Sequence, residues 1–107
     1  MKQRPEPVPQ REASSSLKAL ARAFASLDRP QDVAAFLQDL CTPAELEAMA
    51  DRWRVVPLLQ QGVPYRQIHE RTQVSVTTIG RVARTIEFGA GGYAAASRRQ
   101  SRHPDSH

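Results

Sequence analysis

Val76, Thr77, Gly80, Arg81 and Arg84 occupy the outer faces of one short helical pattern, while Ile79 and Val82 fall on its other side. Small, hydroxylated and cationic side chains on an exposed helix suit the major groove of DNA. There hydroxyls meet phosphates or base edges, and a guanidinium forks the edge of a guanine. Other chemistry has little support. No Ser/His/Asp or Cys/His arrangement has positional backing, and no paired carboxylates face each other at helical spacing. His69, His103 and His107 are too scattered to make a metal site. The single cysteine, Cys41, rules out an intramolecular disulfide or a cysteine-based metal cluster and fits a reducing compartment. No glycine-rich phosphate loop follows a strand, because no strand alternation occurs. Neither an enzyme nor a cofactor is expected.

A helix that displays such residues needs a partner to hold it out. The stretch VPYRQIHERTQVSVTTIGRVARTI, Val63 to Ile86, reads as two short helices around a tight polar turn. Ile68, Val74, Ile79 and Val82 are spaced to pack that pair at a steep angle around a small shared core. The first of the two, fourth in the chain, starts at Pro64 and runs to about Arg71. The fifth runs from about Val76 to Phe88, with Ser75 as its N-cap. Two readings of the pair stay open. One is a DNA-binding helix-turn-helix over about 64–88, the other an ordinary helical hairpin with solvated arginines.

Upstream, residues 1–13 are rich in Pro, Gln and charge and are expected to be disordered. Ser14, Ser15 and Ser16 offer N-cap hydroxyls to a first helix, in which Leu17, Leu20, Ala21, Phe24 and Leu27 recur at helical spacing. Asp28 and Pro30 start a second, striped by Val33, Phe36, Leu37 and Leu40. Thr42-Pro43-Ala44-Glu45 forms a capping box with proline at the first helical position. It opens a third helix to Leu59 or Gln60, with Leu46, Met49, Trp53 and Val56 on one face and Trp53 in the core. Val55, Leu58 and Leu59 widen that face. Pro57 lies inside this helix, which costs about 3 kcal/mol, so the helix either bends or breaks there. Gly62 ends it. Gly89, Gly91 and Gly92 break the chain before a short sixth segment, Tyr93 to Ser97. Residues 98–107 are expected to be a disordered basic tail. The fold is all-α, with one helical domain over 14–97.

Lys and Arg number 15 against 11 Asp and Glu, a formal charge of +4, with a sequence pI of about 10.0. A mildly basic small domain fits a polyanion such as double-stranded DNA. The N-terminal MKQRPEPVPQRE lacks the apolar segment of a signal peptide, and no apolar run approaches a membrane span. The expected setting is cytoplasmic, associated with the nucleoid when bound to DNA, with no membrane partner.

The segment LCTPAELEAMADRWRVVPLLQQGVPYRQIHERTQVSVTTIGRV closely resembles the Trp repressor superfamily, most of all the YerC/YecD branch of Trp repressor-related proteins. The resemblance is carried by Asp39-Leu40-Cys41-Thr42-Pro43-Ala44-Glu45, Arg52-Trp53, Tyr65-Arg66, Thr78-Ile79, Arg81-Val82 and Gly89-Ala90-Gly91-Gly92-Tyr93, and extends from Leu17 to about Ala96. It implies an intertwined homodimer in which the first three helices of both chains interlock and each chain presents one helix-turn-helix. Those three helices carry more apolar surface than one small monomer could bury, which agrees. It also implies an operator-binding regulator, a repressor, with recognition helices one DNA turn apart. The competing reading is a protein-interaction module that keeps the helix-turn-helix as scaffold.

Residue roles follow from the resemblance. Arg66 falls where the family carries a base-contacting arginine, though a solvated arginine is equally open. Ser75, Val76, Thr77, Thr78 and Gly80 fall on the operator-facing start of the recognition helix, and Arg84 fits a phosphate clamp. Arg54 and Arg81 align with the two arginines that hold the tryptophan corepressor, and Thr42 with a residue lining that pocket. Three positions depart from the pattern. His69 and Gln73 stand where a small residue and a glycine are usual, so either Gln73 turns left-handed at a modest cost or the turn differs, and His69 is expected to lean outward. Val82 replaces the glycine that leaves room for the indole, so L-tryptophan is not expected to be the effector, while an anionic ligand of another shape stays open.

Overall fold

The computed structural model describes residues 9–102. They form six helices: α1 (Gln10–Ala25), α2 (Pro30–Leu40), α3 (Pro43–Gln60), α4 (Tyr65–Thr72), α5 (Val76–Phe88) and α6 (Gly92–Arg102). The described chain is all-α, and it divides into two compact units that part between Leu40 and Cys41.

In the first unit, α1 begins at Gln10, inside the stretch expected to be disordered. Residues 1–8 lie outside the described residues. Pro9 provides the extended entry (φ −54°, ψ 145°) without a side-chain cap. Glu12 in the first turn complements the helix dipole. Ser14, Ser15 and Ser16 therefore lie within the helix rather than capping it. Phe24 of α1 meets Phe36 of α2, with ring centroids 5.0 Å apart and a 60° tilt. Neither helix buries any residue, and Leu17, Leu20 and Leu40 are exposed.

The second unit starts at the capping box. The Thr42 hydroxyl accepts the Glu45 N–H (3.2 Å), and the Glu45 carboxylate accepts the Thr42 N–H (2.8 Å). Helix α3 continues without a break through Pro57. The Pro57 carbonyl accepts the N–H of Gln61 at 3.0 Å, and Gly62 leaves the helix with φ +79°.

Val55, Val56, Ile68, Val74, Ile79 and Val82 form the core, ringed by Leu58, Leu59, Val63, Ile86 and Tyr93. Burying each of the larger side chains contributes roughly 1.5–3 kcal/mol. Trp53 is not in this core: it is 38% exposed and stacks on Tyr93 of α6, with centroids 6.5 Å apart. The C-terminal half of α3 turns Val55 and Val56 inward. At ~100° per residue, Trp53 lies about 200° from Val55 but only about 60° from Val56, which puts it at the edge of the inward face rather than in its centre.

Helix α6 runs five residues past Ser97, to Arg102, so 98–102 are helical rather than a disordered tail. Residues 103–107 are outside the described set. Ala and Arg are strong helix formers, and Gln60 donates to the Ser97 hydroxyl at 3.1 Å, fixing α6 on α3. Between α5 and α6, Gly89 is required: a Cβ there would stand 2.5 Å from the Thr85 carbonyl oxygen. Among the described residues, no helix is long and apolar enough to cross a membrane.

Candidate nucleic-acid interface

The turn between α4 and α5 is assembled by side chains. Gln73 adopts the left-handed conformation (φ 66°, ψ 10°), the one non-glycine positive φ among the described residues. Such a residue costs roughly 1–2 kcal/mol, so the surroundings must hold it. The Gln73 N–H donates to the His69 carbonyl (2.7 Å), and its side-chain amide donates to the Glu70 carbonyl (3.1 Å). Thr72, buried, donates its hydroxyl to the Ile68 carbonyl (2.7 Å) and accepts the Val74 N–H (3.1 Å). His69 leans outward as expected, yet its ring returns to the turn. A carbonyl only accepts, so Nδ1–H is the donor to Val74 O, at 2.8 Å. From α3, Arg54 Nη2 donates to the Thr72 carbonyl at 3.1 Å.

Sequence reasoning did not single out Thr72. Its signal was local: a hydroxyl two residues before the apolar Val74, placed to bond the backbone of a turn. The reach of Arg54 to Thr72 had no local signal at all.

Helix α5 begins where its cap predicts. The Ser75 hydroxyl accepts the Thr78 N–H (3.1 Å) and donates to the Thr78 hydroxyl (3.0 Å), so these two serve the helix start first. Ile79 and Val82 face inward, with Ile86 half-buried. Val76, Thr77, Arg81 and Arg84 are exposed, Val76 by 51%, and Gly80 is half-buried. A Cβ on Gly80 would meet the Tyr65 ring at 3.9 Å, an ordinary contact, so glycine is not sterically demanded there. On α4, Arg66 is exposed beside Tyr65. The outer surface of α5 thus combines a methyl-bearing apolar group, hydroxyls and guanidiniums, with the positive end of the helix dipole beneath Ser75.

A family model described as Trp repressor protein matches residues 15–101. The chain belongs to the Trp repressor protein family. That family is one of dimeric DNA-binding transcription regulators. The chain is also 34% identical over 77 residues to "Uncharacterized protein YerC" of Bacillus subtilis (strain 168), covering 72% of this chain and 74% of that relative, which places it with the YerC branch. No solved structure matches it.

In this Trp repressor family member, three of the four residues expected to line an effector pocket, Thr42, Arg54 and Val82, have other roles in the structure. Thr42 caps α3. Arg54 faces Thr72 and, at 3.5 Å, Asp51. Arg81 is exposed, and its carbonyl accepts the Thr85 hydroxyl at 2.9 Å. Val82 is 1% exposed and fills the core. A cleft of about 510 Å³ does open where α3 ends and α4 begins, lined by Leu59, Val63, Pro64, Tyr65, Ala83 and Ile86. None of Thr42, Arg54, Arg81 or Val82 lines it.

Proposed function

We propose that the chain is a sequence-specific DNA-binding repressor, acting as a homodimer through a helix-turn-helix made of α4 and α5, and that it does so without tryptophan. The outward face of α5 carries this reading. Val76, Thr77, Arg81 and Arg84 project from a helix whose opposite side, Ile79 and Val82, is fully committed to the core. Thymine methyl contact, hydroxyl contact and charge-assisted contact to guanine or phosphate are all available from that one face. Homodimerisation is supported by α1 and α2, whose apolar stripes hold no fully buried residue and leave Leu17, Leu20 and Leu40 exposed. A cytoplasmic protein bound to the nucleoid is the setting that fits.

Binding to the chain's own promoter region and to random duplex, measured across a salt series, tests the function. A specific regulator keeps its preference as salt rises. A chain making backbone contacts alone loses both together, and the interaction-module reading then gains. Light scattering at micromolar concentration should report twice the chain mass.

A further inference from the structure

We propose that Arg54 is a positioning residue for DNA reading: it struts the turn between α4 and α5 against α3 and so sets the pose of the recognition surface. The inference rests on α4 and α5 being the DNA-reading pair. Thr72 is the last residue of α4, and its carbonyl is one of the acceptors a helix C-terminus leaves without a partner. Arg54, 18 residues earlier on α3, supplies that partner through Nη2 at 3.1 Å. Asp51, one turn back on α3, lies 3.5 Å from Nη1.

Beyond Thr72 the connection continues, since its hydroxyl holds the N–H of Val74, the residue before the Ser75 cap of α5. One run of polar contacts therefore leads from Asp51 through Arg54, Thr72 and Val74 to the start of the outward-facing helix. Its base is firm, because Val55 and Val56 follow Arg54 directly and are fully buried.

The core that joins α3 to the pair, Val55 and Val56 with Ile68, Val74, Ile79 and Val82, is apolar. Val, Ile and Leu surfaces resist separation but fix direction poorly, whereas a hydrogen bond is directional. The Arg54 side chain is 52% exposed, so solvent screens the energy of its contacts. Its effect is on angle more than on stability, and small errors of pose are enough to spoil a base-reading geometry.

The test uses the full chain with R54M, which keeps an aliphatic stem and removes every donor, and R54K, which keeps the charge. Each is measured on the chain's own promoter region and on random duplex across salt, and by amide exchange. R54M should lower the promoter-over-random preference by roughly tenfold, about what one misread base pair costs, with the salt slope on random duplex unchanged. Exchange should quicken at Gln73 and Val74 relative to Ile79. R54K should restore part of the preference, because an ammonium still donates to a carbonyl.

A wild-type preference that survives R54M intact overturns the proposal. So does equal loss on both duplexes with a slope lower by about one, which marks a phosphate contact. If the wild type itself shows no preference, the DNA-reading role of α4 and α5 fails, and exchange alone judges the strut. Acceleration confined to the turn upholds it, and uniform or absent acceleration overturns it. Should R54M not fold, R54K carries the same comparison.

Discussion

His69 closes the turn it belongs to: its Nδ1–H donates to the carbonyl of Val74 at 2.8 Å, across the left-handed Gln73. The side chain that looks too large for a tight turn between helices is one of those that hold it, with Thr72, Gln73 and Arg54. The ring stays exposed, so no room is needed between α4 and α5.

Removing that contact should loosen the turn. His69→Ala leaves the Val74 carbonyl to find water, at a cost of about 1 kcal/mol. Urea unfolding of the two proteins side by side measures it, and equal midpoints would show that the imidazole contributes nothing.

Gln73 offers the opposite change. Gln73→Gly relieves a left-handed residue but enlarges the freedom of the unfolded chain, so the net gain should be up to about 1 kcal/mol. A higher midpoint in thermal unfolding is the expected outcome.

The capping box makes α3 sensitive to acid. The Thr42 N–H, and then the Thr42 hydroxyl, hold the Glu45 carboxyl below its ordinary value of 4.5. A folded-state value that is lowered gives stability present above the unfolded value and lost as pH falls through the folded one. Glu45→Gln should remove that dependence, so wild type and variant should converge on acidification in denaturant melts. Independently, Thr42→Ala should cost about 1 kcal/mol through the lost N-cap.

The two outward arginines should separate reading from clamping. Arg66→Ala is expected to weaken binding to the true site by roughly 1–3 kcal/mol more than to random duplex. Arg84→Ala should weaken both about equally and flatten the salt slope by about one. If neither substitution alters DNA binding, the surface made by α4 and α5 is not the one that meets DNA.

Tryptophan should not bind. Val82 is 1% exposed, and inserting a ring where its methyl groups pack would overfill a tight site at roughly 1–3 kcal/mol or more. Calorimetric titration of the purified protein with L-tryptophan should give no saturable heat at micromolar ligand. A clear isotherm would show that Val82 yields.

What could be read from residues alone was what neighbours in sequence decide. The Thr42–Glu45 box, the Ser75 cap, the bounds of α5 and the left-handed Gln73 all depend on groups within about one helical turn, and all are present. The shared core of Ile68, Val74, Ile79 and Val82 was legible too, because helical periodicity fixes which side chains share a face. Trp53 lies outside the core its periodicity suggests, because periodicity gives relative angles and not the absolute rotation of α3. That rotation is chosen by where α4 and α5 press on Val55 and Val56. Residues 98–102 looked like a polar tail, but Gln60 and Trp53 on α3 supply the contacts that hold α6. The Arg54 strut and the Val74 carbonyl that turns His69 back to the chain had no signature in composition or spacing. A side chain's partner 18 residues away is settled only when packed helices bring the two together.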